Sequence, residues 1–472
     1  MTHLRRPSQS ELDRMSHAEK DALILRLFDL LEALEKRVQE LEQKVEKNSR
    51  NSGKPPSSDG LKRQPAQPRE STGKPKGGQP GHAGVTRTWT ETPDRVVEVR
   101  PERGCECGRT LEGRPGRIGE CRQQIEIPTP RAEVTEYRQV IVACACGCEH
   151  RGVFPEGVTS HVSYGPNLKA YAVGLVDGHF VSLERTAGII ADQYGVKPSD
   201  GSIQKWIGQV AERLNGQYGA IGLAIAAAEV AHFDESGVRV NGHTHWLHVA
   251  GTAEQAFYTI HPKRGQEAMT AAGILPTFTG CAVHDHWKPY FGFDAATHSL
   301  CNAHVLRELR YFEEATDGHQ WPIRLREILL AGKKAAGQAL ADGRAAVAPE
   351  QLASLLDEYD RWVRLGLLVF PERPKEPGKK GRPKQHPATN LLGRMRDYKT
   401  EILRFLHDFR VPFDNNLAER RVRPVKVKLK VAGGFRAVGG SAAFCVIRSV
   451  WETSRSQGIN PFHTLRTAFA GG

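Results

Sequence analysis

The chain has 472 residues, 39% of them hydrophobic and 25% charged, a formal net charge of +12 and an isoelectric point near 9.3. That length exceeds one ordinary hydrophobic core, so several domains with polar joints are expected. The basic excess favours a polyanionic partner such as DNA, although charge of this size also serves solubility. The longest mostly apolar runs, Leu23 to Leu34 and Ala220 to Ala231, fall short of a membrane span, and Arg26, Asp29 and Glu32 interrupt the first. No membrane partner and a cytoplasmic location are therefore expected. Nine cysteines are present, five of them in C-x-C spacings with no secretion signal before them, which favours metal binding over a disulfide framework.

In chain order, the apolar positions Leu27, Leu31, Leu34, Val38, Leu41 and Val45 alternate steps of four and three. This spacing holds one seam along a helix and predicts a short coiled coil, hence a homo-oligomer, against the alternative of a helix packed on its own protein. The polar, Lys/Arg-rich and Gly/Pro-rich stretch from Asn48 to Thr90 has too few apolar residues to offset chain ordering and reads as a basic disordered linker. Cys105 and Cys107 in GCECG, and Cys144, Cys146 and Cys148 in ACACGCEH, form two knuckles separated by the alternating stretch VTEYRQVIVAC. Thiolates so spaced can converge on one structural Zn²⁺, with Cys105, Cys107, Cys144 and Cys146 the first choice and Cys148, Cys121 and His150 competing for the last place. Buried free thiols are the alternative. Leu183 to Gln193, stopped by Gly195, and a helix capped by Ser199 or Ser202 and running through Trp206 have the rhythm of a helix-turn-helix. Its second helix would present Ser202, Gln204 and Lys205 to DNA, unless the pair is an ordinary helical hairpin.

The segment EVAHFDESGVRV, Glu229 to Val240, alternates like a strand and carries Asp234. The Asn241-Gly242 dipeptide predicts a hairpin into HTHWLHVAGT, and AFYTIHPKR extends a three-stranded meander. A helix over Gln266 to Ala272 and a short strand in TGCAVHDHW follow, with Asp285 at the strand end. Either acid taken singly also suits a hairpin or strand-end cap. In FDNNLAERRVRPVKVKLK, Glu419 precedes Arg420, Arg421, Arg423, Lys426, Lys428 and Lys430. This run reads either as phosphate-neutralising charge beside a site acting on DNA or as a solvated basic face. Asn416 and Glu419 also fit a capping-box variant.

The coiled coil, the NSGKPPSSD linker, the paired knuckles, DESG, HDHW, CNAHVLREL and DNNLAERRVRP occur in that order, and together they resemble the insertion sequence sixty-six transposase family over nearly the whole chain. The resemblance implies a DDE transposase that cleaves DNA strands and transfers them at the ends of an insertion sequence. It implies catalytic acids at Asp234, Asp285 and Glu419 that hold two Mg²⁺ (or Mn²⁺) ions. Implied partners are terminal inverted repeats, target DNA and accessory transposition proteins, in a bacterial, nucleoid-associated setting. Cys301 and His304 in CNAH look like the C-x-x-H signature found after the second acid in several insertion-bearing DDE enzymes, and are expected to be a structural pair buttressing the sheet.

Asp285 and Glu419 stand 134 positions apart, too far for a compact core, so an inserted domain is expected. Leu306 to Glu314, Ile323 to Leu340 and Gln351 to Leu367 read as its helices, followed by a basic proline-rich loop and a helix over Leu391 to His407. The expected fold class is multidomain α/β, with an RNase H-like core (a mixed sheet with helices) interrupted by this helical insertion. The expected boundaries are a coiled-coil helix over 1–50, a basic linker over 51–100, a zinc-binding domain over 101–155 and a helix-turn-helix-like region over 160–215. The core occupies 225–305 and 405–435, the insertion 306–404 and closing helices 436–472. Two alternatives are a zinc-ribbon and helix-turn-helix DNA-binding protein with an inactive core, and a metallohydrolase using His243, His245, His248, His284 and His286. The last lacks a compact ligand motif.

Overall fold

The computed structural model describes residues 89–471 apart from 102–104, 159, 316–317, 376–377, 379–380 and 382, together with scattered positions from 15 to 31. Of the predicted seam only Leu27 and Leu31 are described; both are helical and exposed, and the rest of the seam and residues 51–88 of the linker lie outside the described residues. The chain forms two compact units.

The smaller unit comprises residues 62–135 with 193–195. From 89 to 135 its described residues form no helix or strand. A turn at Cys105 is closed by the Gly108 amide donating to the Cys105 carbonyl and the Cys105 amide donating to that of Arg109. Gly108 makes this possible at φ +79°, a left-handed conformation that costs glycine little.

In the larger unit, strands β1 (Ile141–Ala143) and β2 (Glu149–Arg151) pair antiparallel around the second knuckle. β1 is much shorter than the alternation from Val134 to Cys144 predicts, and its residues are exposed, so no apolar face is buried to extend it. Helix α1 (Pro166–Val173) follows and continues as a π turn over Gly174–Gly178. Helix α2 (Leu183–Tyr194) ends at Gly195, φ +69°. Ser199 then caps α3 (Asp200–Ala226), its side chain accepting from the Ser202 amide. α3 runs far past Trp206, because Val210, Leu214, Ile221 and Ile225 keep supplying buried positions at helical spacing.

The main sheet comprises β3 (Val230–Val240), β4 (His243–Gly251), β5 (Ala256–His261), β6 (Cys281–His284) and β7 (Thr297–Leu300), in the order β5-β4-β3-β6-β7. The first three form an antiparallel meander, whereas β6 and β7 run parallel to β3. The β3–β4 turn places Asn241 at φ +49° and Gly242 at φ +74°, the paired left-handed conformations of a type I′ hairpin. Helix α4 (Gln266–Ala271) leads from β5 toward β6. β7 escapes the sequence reading because four residues of mixed polarity carry too short a pattern.

The insertion and the segment behind it comprise α5 (Asn302–Ala315), α6 (Gln320–Ala341), α7 (Pro349–Val369), α8 (Pro387–Asp397) and α9 (Lys399–Leu403). These helices enclose their own core around Leu309, Leu325, Tyr359, Leu392 and Ile402. The helix expected over Leu391 to His407 is thus two helices and a 3₁₀ turn, divided at Tyr398. The chain returns through α10 (Asn416–Ala432) and closes with α11 (Val438–Ser456) and α12 (Pro461–Ala470), the last capped by the Asn460 side chain. Val422 and Val425 of α10 and Phe444 of α11 pack on Val238, Leu247, Val249 and Tyr258 of the sheet. α11 also protects the sheet edge: Thr453 and Ser449 hydroxyls accept from the Ala256 and Tyr258 amides of β5, at 3.0 Å each. No described helix is long and apolar enough to cross a membrane.

Candidate active site

Parallel pairing of β3 with β6 matches His232 to Val283. Two residues further along each strand stand Asp234 and Asp285, an even step that keeps both at one level and on the same side of the sheet. The Glu235 amide donates to Asp234 at 2.8 Å, and the Trp287 amide donates to Asp285 at 2.8 Å, so each side chain is held by the backbone of a residue just after it. Glu419 lies in the first turn of α10. Burial pushes the Asp234 carboxyl well above the usual carboxylate range, and the charges of Glu235, Asp285 and Glu419 push it further. Burial first and then Glu235 raise Asp285 to about 7, against the Trp287 amide and the positive charges of Arg264 and Arg394. Glu419 is also raised, by burial and Asp414, with Arg307 and Arg423 opposing. The two strands and the helix thus bring all three predicted acids into one electrostatic neighbourhood, although 185 positions separate the first from the last.

The expected cap does not form at Asn416, which is the first residue of α10. Asn415 occupies the cap position, and its side chain makes no capping bond. It turns instead into the sheet, donating to the Phe233 carbonyl at 2.7 Å and meeting Nδ1 of His232 at 2.8 Å. The Asp414 side chain accepts the Asn416 amide at 3.1 Å, and Lys333 stands 3.9 Å from the same carboxylate. The capping-box account of Glu419 fails accordingly, and Oε1 of Glu419 is buried without a hydrogen-bond partner among the described residues.

Residues the sequence reading did not single out complete the surroundings. Glu235, 4% exposed, takes Arg264 on one oxygen at 2.7 Å and the Tyr290 hydroxyl on the other at 2.6 Å. Arg264 in turn lies over the rings of Trp246 and Trp287, 4.8 and 4.1 Å from their centroids. The second letter of DESG was the available signal. A second acid beside Asp234 needs its own cation, and no spacing rule points to Arg264, 29 positions away.

The basic residues divide. Lys205, Arg420, Arg423 and Lys430 are exposed. Arg421 is buried and donates to the carbonyls of Thr252, at 2.6 Å, and Gln255 in the β4–β5 turn. Lys428 pairs with buried Asp177 at 2.9 Å, and Lys426 donates to the Gly237 carbonyl at 3.3 Å. Helical geometry turns part of the run inward, a distinction that composition does not carry.

Each knuckle keeps its own turn. At Cys144 the Gly147 amide donates to the Cys144 carbonyl and the Cys144 amide to that of Cys148, the hydrogen-bond pattern seen at Cys105. Cys105, Cys107, Cys121, Cys144, Cys146 and Cys148 are all exposed, so the buried-thiol alternative does not hold for them. The five histidines of the metallohydrolase alternative do not gather. His243 is exposed and His245 half-buried, and His284 is fully buried against His298, where burial holds it neutral with its pKa near 3. Among the described residues the one group of three or more side chains close enough to share a metal ion is Cys301, His304 and Glu419.

The molecule is a mixed α/β protein whose central strands and returning helix carry three half-buried acids. Residues 161–443, more than half of the chain, match the model of the Transposase IS66 family. The chain belongs to that family, a family of DNA-processing enzymes. Residues 4–88 match a family of unknown function, DUF6444. No curated protein matches the chain.

Proposed function

We propose that the protein is a DDE transposase with an RNase H-like core, which cuts and joins DNA strands at the ends of an insertion sequence. The observation that carries this reading is the shared electrostatic neighbourhood of Asp234, Asp285 and Glu419, each of whose carboxyls is pushed up first by burial, with Asp285 and Glu419 adding to the shift at Asp234. Hard carboxylate oxygens suit Mg²⁺ or Mn²⁺, and the orphaned Oε1 of Glu419 is an available ligand. Two such ions, when bound, activate an attacking oxygen and stabilise a leaving one in phosphoryl transfer. The protein's own part is to position the acids: Asp234 and Asp285 accept from the amides of Glu235 and Trp287, and Asn415 pins the start of α10, which carries Glu419, to β3. The sheet order, with an antiparallel meander followed by parallel strands, supports the RNase H-like assignment.

Lys205, Arg420, Arg423 and Lys430 are the DNA contacts this reading retains for terminal repeats and target DNA. The helices α2 and α3 serve as a helix-turn-helix reader, with Gln204 and Lys205 exposed on the second. The matching turns of the two knuckles support a structural Zn²⁺ on Cys105, Cys107, Cys144 and Cys146. Loss of roughly one zinc ion per chain in Cys105→Ser relative to wild type, by elemental analysis, is the check on that assignment. The seam from Leu27 to Val45 joins protomers, and the domain boundaries are those read from the sequence.

The test is cleavage and gel shift on a labelled terminal repeat. Glu419→Gln is expected to abolish Mg²⁺-dependent cleavage while end binding persists, and Asp414→Asn, whose carboxylate serves the α10 start and Lys333, to reduce it less. Cleavage by Glu419→Gln with none by Asp414→Asn would move the third acid to Asp414.

A further inference from the structure

Cys301 directly follows β7 and His304 lies in the first turn of α5, so the C-x-x-H spacing brings both side chains to one helix start. Glu419 approaches from the first turn of α10, and one ligand atom from each of the three lies within 4.8 Å of the others. Nδ1 of His304 faces Oε1 of Glu419 at 3.9 Å, and neither buried atom has a hydrogen-bond partner among the described residues. The sulfur, in contrast, is well provided with donors. The Asn415 amide donates to Sγ at 3.1 Å, and the amides of His304 and Ala303 also act to stabilise its thiolate. Amides aimed at a sulfur are what a metal-bound thiolate needs, because they offset the charge left on it. The Cys301 side chain is buried, so without a cation it stays a neutral thiol.

A thiolate, an imidazole and one carboxylate oxygen form a borderline-soft donor set, which favours Zn²⁺ over Mg²⁺. Around a tetrahedral Zn²⁺ with bonds of about 2.0–2.3 Å, ligand atoms stand roughly 3.3–3.7 Å apart. The present spacings therefore need to close by only about 1 Å, which rotation of the half-exposed-to-buried His304 and Glu419 side chains supplies. Three protein ligands leave a fourth position for water, as in exchangeable zinc sites.

We propose that Cys301, His304 and Glu419 form a Zn²⁺ site that shares Glu419 with the Asp234–Asp285–Glu419 set, and that zinc bound there restrains the enzyme by holding Glu419 away from the other two acids. The regulatory half rests on the function proposed above, whereas the binding half does not. Binding releases the Cys301 thiol proton to solvent and forms the sulfur–zinc bond, with no change of oxidation state. The ion acts as a brake on the third acid and takes no part in strand chemistry.

Cobalt(II) is the probe, since a thiolate ligand gives it an ultraviolet charge-transfer band and a tetrahedral site gives it visible bands. Full-length protein stripped of metal is titrated with Co²⁺ alongside Cys301→Ser and His304→Gln, each checked for native folding by circular dichroism. The knuckle cysteines contribute equally to all three proteins and cancel in difference spectra. The expected result is a wild-type-minus-Cys301→Ser spectrum with a charge-transfer band, and loss of the corresponding visible bands in His304→Gln. Identical spectra for the three folded proteins overturn the site, whether or not the protein cuts DNA. In the second arm, added Zn²⁺ is expected to suppress Mg²⁺-dependent end cleavage by wild type and to spare the His304→Gln variant. Suppression equal in both overturns the brake. Absence of any Mg²⁺-dependent cleavage by zinc-free wild type would count against the transposase mechanism and leave the cobalt result to decide the site.

Discussion

Arg421 and its neighbour Arg420 differ by one position and by everything that position implies on a helix. The Arg421 guanidinium fills the space over Gly251, where even a Cβ would meet it, and satisfies two carbonyls of the β4–β5 turn. Arg421→Ala is expected to lower stability by about 2–4 kcal/mol, because buried carbonyls lose charged donors. Measured by urea unfolding, that loss should come with little change in DNA affinity at matched folded fraction. Arg420→Ala and Arg423→Ala should leave unfolding unchanged, weaken end binding alike on specific and unrelated sequences, and each reduce the salt slope by about 1. A full salt slope in both variants would remove them from the interface. At Asp285 the consequence is a pH dependence. Its carboxyl is raised from 3.8 to about 7 in the folded chain, so between those values the folded state holds a proton that the unfolded state has lost. The sign follows: this group's contribution favours folding at the acid end and is lost as pH rises through 7. Asp234, raised in the same direction, adds to the slope. Metal-free protein should therefore lose stability between pH 4 and 7, Asp285→Asn should flatten the loss, and Mg²⁺ at pH 8 should raise the unfolding midpoint of wild type more than that of the variant. A wild-type midpoint that rises across this window in the metal-free protein would contradict the assignment.

The element that decides the site is α10, and its start shows how a local signal is overridden. DNNLAER offers two asparagines to cap a helix, yet Asn415 spends its side chain on the Phe233 carbonyl and His232, the two residues before Asp234, while its amide binds the Cys301 sulfur. One buried side chain thereby fixes the third acid to the strand of the first. Asn415→Ala should cost about 2–4 kcal/mol, since it leaves buried polar partners unpaired, and should depress cleavage beyond its effect on the folded fraction. Asn416→Ala, at an exposed position, should stay within about 0.5 kcal/mol of wild type. Equal effects of the two substitutions would show that Asn415 acts only as part of the helix end. Other elements were readable because their signals are local. Asn241-Gly242 demands a tight hairpin, and Ser199 caps α3. β7 and the short β1 were not, because a three- or four-residue strand depends on the neighbour it pairs with more than on its own pattern.

At the scale of the whole molecule, a helical insertion with its own core separates the second acid from the third, and the chain crosses it without disturbing the sheet. On the proposed function, joining two element ends requires more than one protomer, and the exposed Leu27 and Leu31 are where the predicted seam would meet a partner helix. Deletion of residues 1–50 is expected to reduce the mass measured by light scattering to that of a monomer, with DNA absent. An unchanged oligomeric state would place the interface elsewhere.

The sequence by itself pointed to the three acids and the inserted helices, and it determined the meander with its hairpin turn and the sites of the two knuckle turns. Each rests on chemistry confined to a few adjacent residues: a special backbone conformation, an alternation, or a motif of fixed spacing. Only the tertiary structure decided which basic side chains face solvent, that Glu235 is paired with Arg264, that Asn415 faces the sheet, and that Cys301 and His304 meet Glu419. Those facts depend on contacts between residues 29 to 251 positions apart. Burial and the partners across such gaps fix the charge state and direction of a side chain, and neither is encoded in its immediate neighbours.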